Sequence, residues 1–80
     1  MQIKIRYFAD LKDLTKKGEE IMFIDNKNNS IDTNIIKEKI CEKYGIKKED
    51  IFKIAINGIL DKEIIKDGDI VSFHPIYRGG

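Results

Sequence analysis

The segment IDTNIIKEKICEKYGI, residues 31–46, predicts the principal helix of this chain. Asp32 is placed to act as the N-cap, because a carboxylate accepts hydrogen bonds from the free amides of a first helical turn. Ile31 and Ile36 occupy the two positions of a hydrophobic staple. One face of the helix then carries residues at spacings of three and four: Thr33, Ile36, Ile40 and Tyr44. Gly45 is the expected C-terminal cap, so the helix has defined ends and one face for packing.

Two segments before this helix have the composition of β-strands. Residues 2–8 alternate in the manner of a half-buried strand. Residues 20–25 predict a second strand, and Leu11 and Leu14 lie at helical spacing in the short turn between the two. The run 26–30 is rich in Asn, whose side chain competes for backbone hydrogen bonds, and it predicts a loop.

The residues after the helix predict three more strands. Residues 52–57 alternate, and Asn57-Gly58 predicts a tight turn into a short strand at 59–60, because both turn residues tolerate positive φ. Residues 70–74 form the last strand, whose pairing weakens at Pro75 because proline has no amide hydrogen. The predicted class is α+β: a mixed sheet of four to five strands with one main helix packed across one face.

A single helix covers only one face of such a sheet. We assign seven side chains to the covered face: Ile3, Ile5, Phe52, Ile54, Ile56, Val71 and Phe73. The alternation places a second set on the opposite face, comprising Phe8, Ala55, Ile70 and His74 among the cations Lys4, Arg6 and Lys53. An exposed apolar patch is more often a partner site than a neutral surface, so this face is predicted to bind proteins.

Composition excludes several classes of protein. Eighty residues make one small domain. The 15 Lys plus Arg against 14 Asp plus Glu argue against a general nucleic-acid or membrane-surface binder. The single cysteine, Cys41, excludes an intramolecular disulfide and a cysteine-pair metal site, which fits a reducing compartment. No apolar run is long enough to span a membrane, and the expected location is the cytoplasm.

The C-terminal sequence is the candidate reactive segment. Glycine has no Cβ, so a Gly79-Gly80 terminus can enter a narrow channel and leave its carbonyl carbon open to attack. A frayed terminus without a role is the alternative, since terminal residues are often poorly ordered. We predict a domain at residues 1–75 and a flexible tail at residues 76–80, comprising Ile76, Tyr77, Arg78, Gly79 and Gly80.

Four motifs, taken together, indicate a family resemblance that none of them indicates alone. They are Tyr7-Phe8-Ala9-Asp10-Leu11, Asn57-Gly58, Asp67-Gly68-Asp69, and the terminal Phe73-His74-Pro75-Ile76-Tyr77-Arg78-Gly79-Gly80. The turns are common in β proteins, whereas the aromatic first strand together with the Phe-x-Pro-x-x-x-Gly-Gly terminus is more specific. With these motifs the chain resembles, over nearly its whole length, the ubiquitin-like β-grasp sulfur carriers, most closely the small-subunit family of molybdopterin synthase.

This resemblance implies a carrier that is not itself an enzyme. A partner adenylyltransferase similar to ubiquitin-activating enzymes would use ATP and Mg²⁺ to convert the Gly80 carboxylate into an acyl-adenylate, and sulfur would then replace AMP. The thiocarboxylate would enter the large, catalytic subunit of molybdopterin synthase and deliver sulfur to cyclic pyranopterin monophosphate, in molybdenum cofactor biosynthesis. The sequence agrees that catalysis comes from partners, because it has no Gly-x-x-x-x-Gly-Lys phosphate-binding motif and only one histidine. No cofactor, nucleic acid or membrane is expected to bind.

The sheet face is expected to contribute to partner binding, because ordering the tail costs entropy. Ordering five flexible residues costs on the order of 5–10 kcal/mol, so tail contacts alone would not hold a complex. On the sheet face opposite the helix, His74 is interpreted as a contact residue rather than a catalytic base. Arg78 is interpreted either as an ion-pair partner inside a channel or as a solvated charge.

Two other functions remain open at the level of sequence. The first is a carrier for thiamin thiazole synthesis or tRNA thiolation, or a ubiquitin-like modifier of lysines, which differs only in the enzyme that accepts the tail. The second is a non-covalent β-grasp interaction module with an inert terminus. Appending one residue after Gly80 would separate the second from any carrier.

Overall fold

The chain forms a mixed β-sheet crossed by one long helix, as seen in a computed structural model that describes residues 1–25, 27–60 and 62–75. The elements in chain order are β1 (Gln2–Tyr7), α1 (Asp10–Thr15), β2 (Glu19–Phe23), β3 (Ser30–Asp32), α2 (Thr33–Tyr44), a 3₁₀ turn (Lys48–Asp50), β4 (Ile51–Ile56), β5 (Ile59–Leu60), β6 (Ile64–Lys66) and β7 (Ile70–Pro75). No helix in these described ranges is long and apolar enough to cross a membrane.

Five strands make the main sheet, in the order β2-β1-β7-β4-β5. β1 and β7 are parallel neighbours in which Ile5 pairs with Val71, and every other pair in this sheet is antiparallel. The predicted α+β architecture with one main helix is confirmed. A second, two-stranded ribbon of β3 and β6 was not predicted, because three-residue strands are too short to show an alternating pattern.

Both predicted ends of the main helix are confirmed. The Asn34 amide donates to the Asp32 carboxylate over 2.8 Å, which satisfies a free N–H of the first turn of α2. At the other end Gly45 adopts a φ of 67°, in the left-handed region that glycine enters without steric cost. Ile36, Ile40 and Cys41 face the sheet from α2 and are buried. Burial raises the pKa of the Cys41 thiol.

The core lies between α2 and one face of the sheet. β1 and β7 supply its centre with side chains that are at most 1% exposed: Ile3, Ile5, Tyr7, Val71 and Phe73. Ile56 is equally buried, and Ile54 packs against this cluster while partly exposed. Six of the seven predicted core residues therefore lie in or against the core.

The prediction that Phe52 is a core residue is wrong. Phe52 is 58% exposed, whereas its neighbour Ile51 is 4% exposed and occupies the core. Ile51 pairs with Pro75 and Lys53 pairs with His74, so two steps along β4 oppose one step along β7. This β-bulge changes the phase of the alternation and turns Phe52 out of the core.

A partly buried carboxylate ties the main helix to the sheet. Glu20 of β2 accepts hydrogen bonds from the Tyr7 hydroxyl over 2.6 Å, from the Tyr44 hydroxyl, and from the Lys43 ammonium over 2.9 Å. Partial burial alone would raise the pKa of Glu20, but these hydrogen bonds outweigh it and lower the pKa to about 2. Burial, and then the hydrogen bond to Glu20, raise the pKa of Tyr7. The four side chains form one connected group between β1, β2 and α2.

Candidate functional site

The sheet face opposite α2 carries the predicted docking residues, and we call it the outer face. Its position follows from strand register, in which Lys4 pairs with Ile70, Arg6 with Ser72, and Lys53 with His74. The outer face comprises Glu19, Ile21 and Phe23 of β2, Lys4 and Arg6 of β1, Phe8 just beyond β1, Ile70, Ser72 and His74 of β7, and Lys53 and Ala55 of β4.

Phe8 and His74 form an aromatic stack on the outer face. Their ring centroids are 4.6 Å apart and their planes differ by 13°. The Phe8 amide donates to the Phe73 carbonyl over 3.2 Å, and the Phe8 carbonyl accepts from the Leu11 amide over 3.1 Å. With its backbone held on both sides, Phe8 presents its ring in a fixed position, which is what a docking contact requires.

Ala9 makes the corner that follows Phe8. Its φ of 49° and ψ of −129° lie in a region that residues with a Cβ rarely adopt. Such a conformation costs on the order of 1–3 kcal/mol and persists only where the surroundings enforce it. Here α1 begins at the next residue, and its fully buried Leu11 anchors the chain directly after the corner.

Two of the predicted docking residues differ in how accessible they are. Ile70 is partly exposed, as a contact residue needs to be. Ala55 lies on the predicted face but is only 5% exposed, so the expectation that it is exposed is wrong. It pairs with Leu60 on one side and Ser72 on the other, and a single methyl group between two strands lies below the tips of longer side chains. Ala55 therefore lies in a low part of the outer face and does not project toward a partner.

The charges of the outer face are partly compensated. Glu19 lies 3.9 Å from the Lys4 ammonium and 3.5 Å from the Arg6 guanidinium nitrogen. The sequence prediction counted the three cations Lys4, Arg6 and Lys53 but placed no acid beside them. Because these ion pairs are solvent-exposed, they stabilise the fold little and can exchange for contacts with a partner.

The sequence prediction missed two exposed apolar residues of β2. Phe23 is 76% exposed and Ile21 is 44% exposed, and both lie on the outer face by register. The alternation of Glu19, Ile21 and Phe23 along the strand was the signal that could have revealed them. They extend the apolar part of the outer face to its β2 edge.

The predicted reactive segment, Ile76, Tyr77, Arg78, Gly79 and Gly80, lies outside the described residues. The boundary between a domain at 1–75 and a tail at 76–80 stays a prediction. Pro75 is the last described residue, and β7 reaches it one position after the Phe8–His74 stack. Within the described part of the chain, no group of three His, Cys, Asp or Glu side chains is placed to hold a metal ion.

The strand order, the parallel contact between β1 and β7, and the crossing helix define a ubiquitin-like β-grasp fold. No protein-family model and no curated protein sequence matches the chain. Solved structures do match it. The putative molybdopterin converting factor subunit 1 from Pyrococcus furiosus is 27% identical, with a TM-score of 0.76, over 94% of this chain and 97% of that one.

Two further structures are similar over 100% of both chains. A chain in the complex of subunits 1 and 2 of molybdopterin-converting factor from Helicobacter pylori 26695 is 26% identical, with a TM-score of 0.65. SAMP1 from Haloferax volcanii is 15% identical, with a TM-score of 0.79, which shows a common fold. The resemblance predicted from the sequence is confirmed, since subunit 1 of molybdopterin converting factor and ubiquitin-like SAMP1 are among the similar structures.

Proposed function

We propose that this chain is a ubiquitin-like sulfur carrier that serves molybdopterin synthesis. In this proposal Gly80 is adenylated by a ubiquitin-activating-like adenylyltransferase that uses ATP and Mg²⁺. Sulfide-level sulfur from a donor protein or from free sulfide then attacks the acyl carbon and displaces AMP, which leaves a thiocarboxylate. The thiocarboxylate then donates sulfur to cyclic pyranopterin monophosphate in the active site of the large subunit. The chain is the non-catalytic partner in both steps.

The observation that carries this proposal is the end-to-end structural similarity to molybdopterin converting factor subunit 1 at 27% identity. The similarity spans both chains almost completely, so the two proteins share a whole architecture rather than a common motif. The Helicobacter structure is a complex of subunits 1 and 2, which supports a large subunit as the partner of this chain.

The chemistry of the terminal carboxylate explains why partners are required. A carboxylate is a poor acyl donor because its leaving group would be oxide, whereas an acyl-adenylate loses AMP. Activation therefore needs a site that binds ATP and a metal ion. In this proposal those groups belong to the adenylyltransferase, and this chain contributes the reacting carboxylate.

The outer face is the proposed docking surface for both partners. Phe8 and His74 form a stacked pair where β1 and β7 end, and Ile70 adds an apolar contact at the start of β7. Stacked aromatic side chains with fixed backbones lose little conformational entropy when they bind. Since β7 leads directly into residues 76–80, docking here would deliver the tail to a partner's active site.

Intact-mass analysis of the protein isolated from its own cells tests the carrier function. We expect a fraction of the chain whose mass reflects the exchange of one oxygen for one sulfur at Gly80. The exchange should disappear when the adenylyltransferase is absent or when one residue is appended after Gly80. A mass that never changes, in cells that actively synthesise molybdopterin, would contradict the proposal.

A non-covalent interaction module is the second candidate, and the exposed apolar outer face favours it as much as it favours a carrier. The appended residue separates the two. A module would retain its activity, because its binding surface is intact, whereas a carrier would lose sulfur transfer. Measuring molybdopterin, thiamin and thiolated tRNA in cells that lack the chain then identifies the pathway that a carrier supplies.

A further inference from the structure

A second surface feature lies beside the β4 bulge, at the edge of the sheet. A groove runs between the first turns of α2 and the strands β4 and β5, and we call it the β4 groove. The side chains that matter for its chemistry are Lys37, Phe52, Lys53, Ile54, Leu60 and Lys62. It adjoins the outer face through Lys53, which pairs with His74, but most of its residues are separate from that face.

The groove concentrates positive charge. Lys37, Lys53 and Lys62 line it, and no acidic side chain lines it within the described residues. Among the described residues, the lysines that form ion pairs are Lys4, Lys43 and Lys48, and none of these lines the groove. The chain as a whole has a formal net charge of only +1, so this cluster is a local feature rather than a reflection of composition.

The groove also exposes two large apolar side chains, of which Phe52 was predicted to be buried. Phe52 is 58% exposed and Leu60 is 44% exposed, while Ile54 forms a partly buried floor. The Lys53 ammonium lies 5.3 Å from the centroid of the Phe52 ring. β-Bulges commonly re-aim a side chain next to a functional site, and the bulge here turns the Phe52 ring into the groove. A local departure from the alternating pattern is expected where function rather than stability determines the residue.

On its β5 side, part of the β4 backbone beside the groove has no strand partner among the described residues. β5 pairs with β4 only at Ala55 and Ile56, so on this side residues 51–54 have no ladder partner among the described residues. An unpaired strand edge is a template for an added strand. Recognition by strand addition combines main-chain hydrogen bonds with pockets for alternate side chains.

We propose that the β4 groove binds an extended acidic segment of a protein partner. Its carboxylates would pair with Lys37, Lys53 and Lys62, and its aliphatic side chains would cover Phe52 and Leu60. Nucleic acid also carries negative charge, but it has no amide backbone to pair with residues 51–54. The proposal does not depend on which group the tail carries, because the proposed contacts involve only described residues.

Selection from a phage-displayed library of linear peptides tests the proposal on the intact chain. We expect enrichment of peptides that combine Asp or Glu with Ile, Leu or Val. A synthetic peptide from this set should shift the amide NMR signals of residues 51–54, Leu60 and Lys62. The triple variant Lys37→Glu/Lys53→Glu/Lys62→Glu should weaken its affinity at least about tenfold, because it replaces attraction by repulsion. Phe52→Ser should weaken it as well.

A matched triple variant controls for total charge. Lys16→Glu/Lys39→Glu/Lys47→Glu makes the same change in net charge at exposed lysines outside the groove, and it should leave the affinity unchanged. Three results would overturn the proposal. They are enriched peptides without an acidic excess, equal weakening by both triple variants, and displacement of the peptide by a single-stranded oligonucleotide that shifts the same signals.

Discussion

Glu20 illustrates how a single residue couples this fold to pH. Its side chain is 10% exposed and accepts hydrogen bonds from two tyrosines and a lysine, which keep it ionised in the folded state. The carboxylate joins β2 to α2, so losing its charge would leave buried donors without a charged acceptor. Tyr7 and Tyr44 also contact each other edge to face, with ring centroids 5.9 Å apart, so the polar and aromatic contacts support one another.

The first prediction concerns the pH dependence of stability. Folding lowers the pKa of Glu20 from 4.5 to about 2. Its contribution to the free energy of unfolding is therefore complete above pH 4.5 and is lost as the pH falls toward 2. The shift corresponds to at most about 3 kcal/mol. Urea unfolding between pH 2 and pH 7 should show this loss in the native chain, and Glu20→Gln should flatten the curve across the same window.

Glu19 provides the matched control for this experiment. It precedes Glu20 in the same strand, but its side chain is 54% exposed and pairs only with surface cations. Glu19→Gln should therefore preserve the steep loss of stability below pH 4.5. Equal pH curves for the native chain and Glu20→Gln would show that the carboxylate does not stabilise the fold by its charge.

At the scale of elements, the second prediction concerns the start of α2. Asp32→Ala removes the side-chain acceptor of the Asn34 amide and should lower the free energy of unfolding by about 1 kcal/mol. Asp32→Asn should restore most of the loss, because an amide oxygen also caps a helix. Urea unfolding at pH 7 measures both variants. If Asp32→Ala unfolds with the same free energy as the native chain, the cap contributes nothing and the helix start is set by packing alone.

The strands show what alternation can and cannot predict. β1 and β7 follow a regular alternation, and the faces of Ile3, Ile5, Val71 and Phe73 were predicted correctly. In β4 the bulge shifts the phase by one residue, and nothing in the residues 51–57 distinguishes a bulged strand from a regular one. Hydrogen-bond pairing with β7 decides where the extra residue fits, and pairing is a property of two strands together.

The third prediction tests this phase shift directly. Ile51→Ala deletes buried side-chain atoms and should cost about 2–5 kcal/mol of unfolding free energy. Phe52→Ala removes a larger side chain that is mostly in water, and it should cost less than about 1 kcal/mol. Urea unfolding of the two single variants, compared with the native chain, measures the difference. The reverse order of costs would mean that Phe52 fills the core in solution.

For the whole molecule, the sheet topology explains which parts of the site were predictable. Phe8 directly follows β1, and Ile70 and His74 belong to the adjacent β7, so regular alternation was enough to place them on one face. The burial of Ala55 depends on the lengths of its cross-strand neighbours, and the pairing of Glu19 with Lys4 and Arg6 depends on strand order. Neither property is encoded in a single segment, so neither could be predicted.

The last prediction separates docking from chemistry. Phe8→Asp should weaken binding to the large subunit and to the adenylyltransferase at least about tenfold, since it breaks the stack with His74 and buries a charge at the interface. Appending one residue after Gly80 should leave docking through the outer face intact but abolish sulfur transfer. Ile35→Asp, an exposed site on α2 at the opposite side of the sheet, should change neither. Calorimetric affinities and molybdopterin formation are measured on four proteins: the native chain, Phe8→Asp, Ile35→Asp and the chain with the appended residue. Together the two measurements distinguish a loss of docking from a loss of sulfur transfer. An unchanged affinity for Phe8→Asp would show that partners bind the chain outside the outer face, even if sulfur transfer still requires a free Gly80.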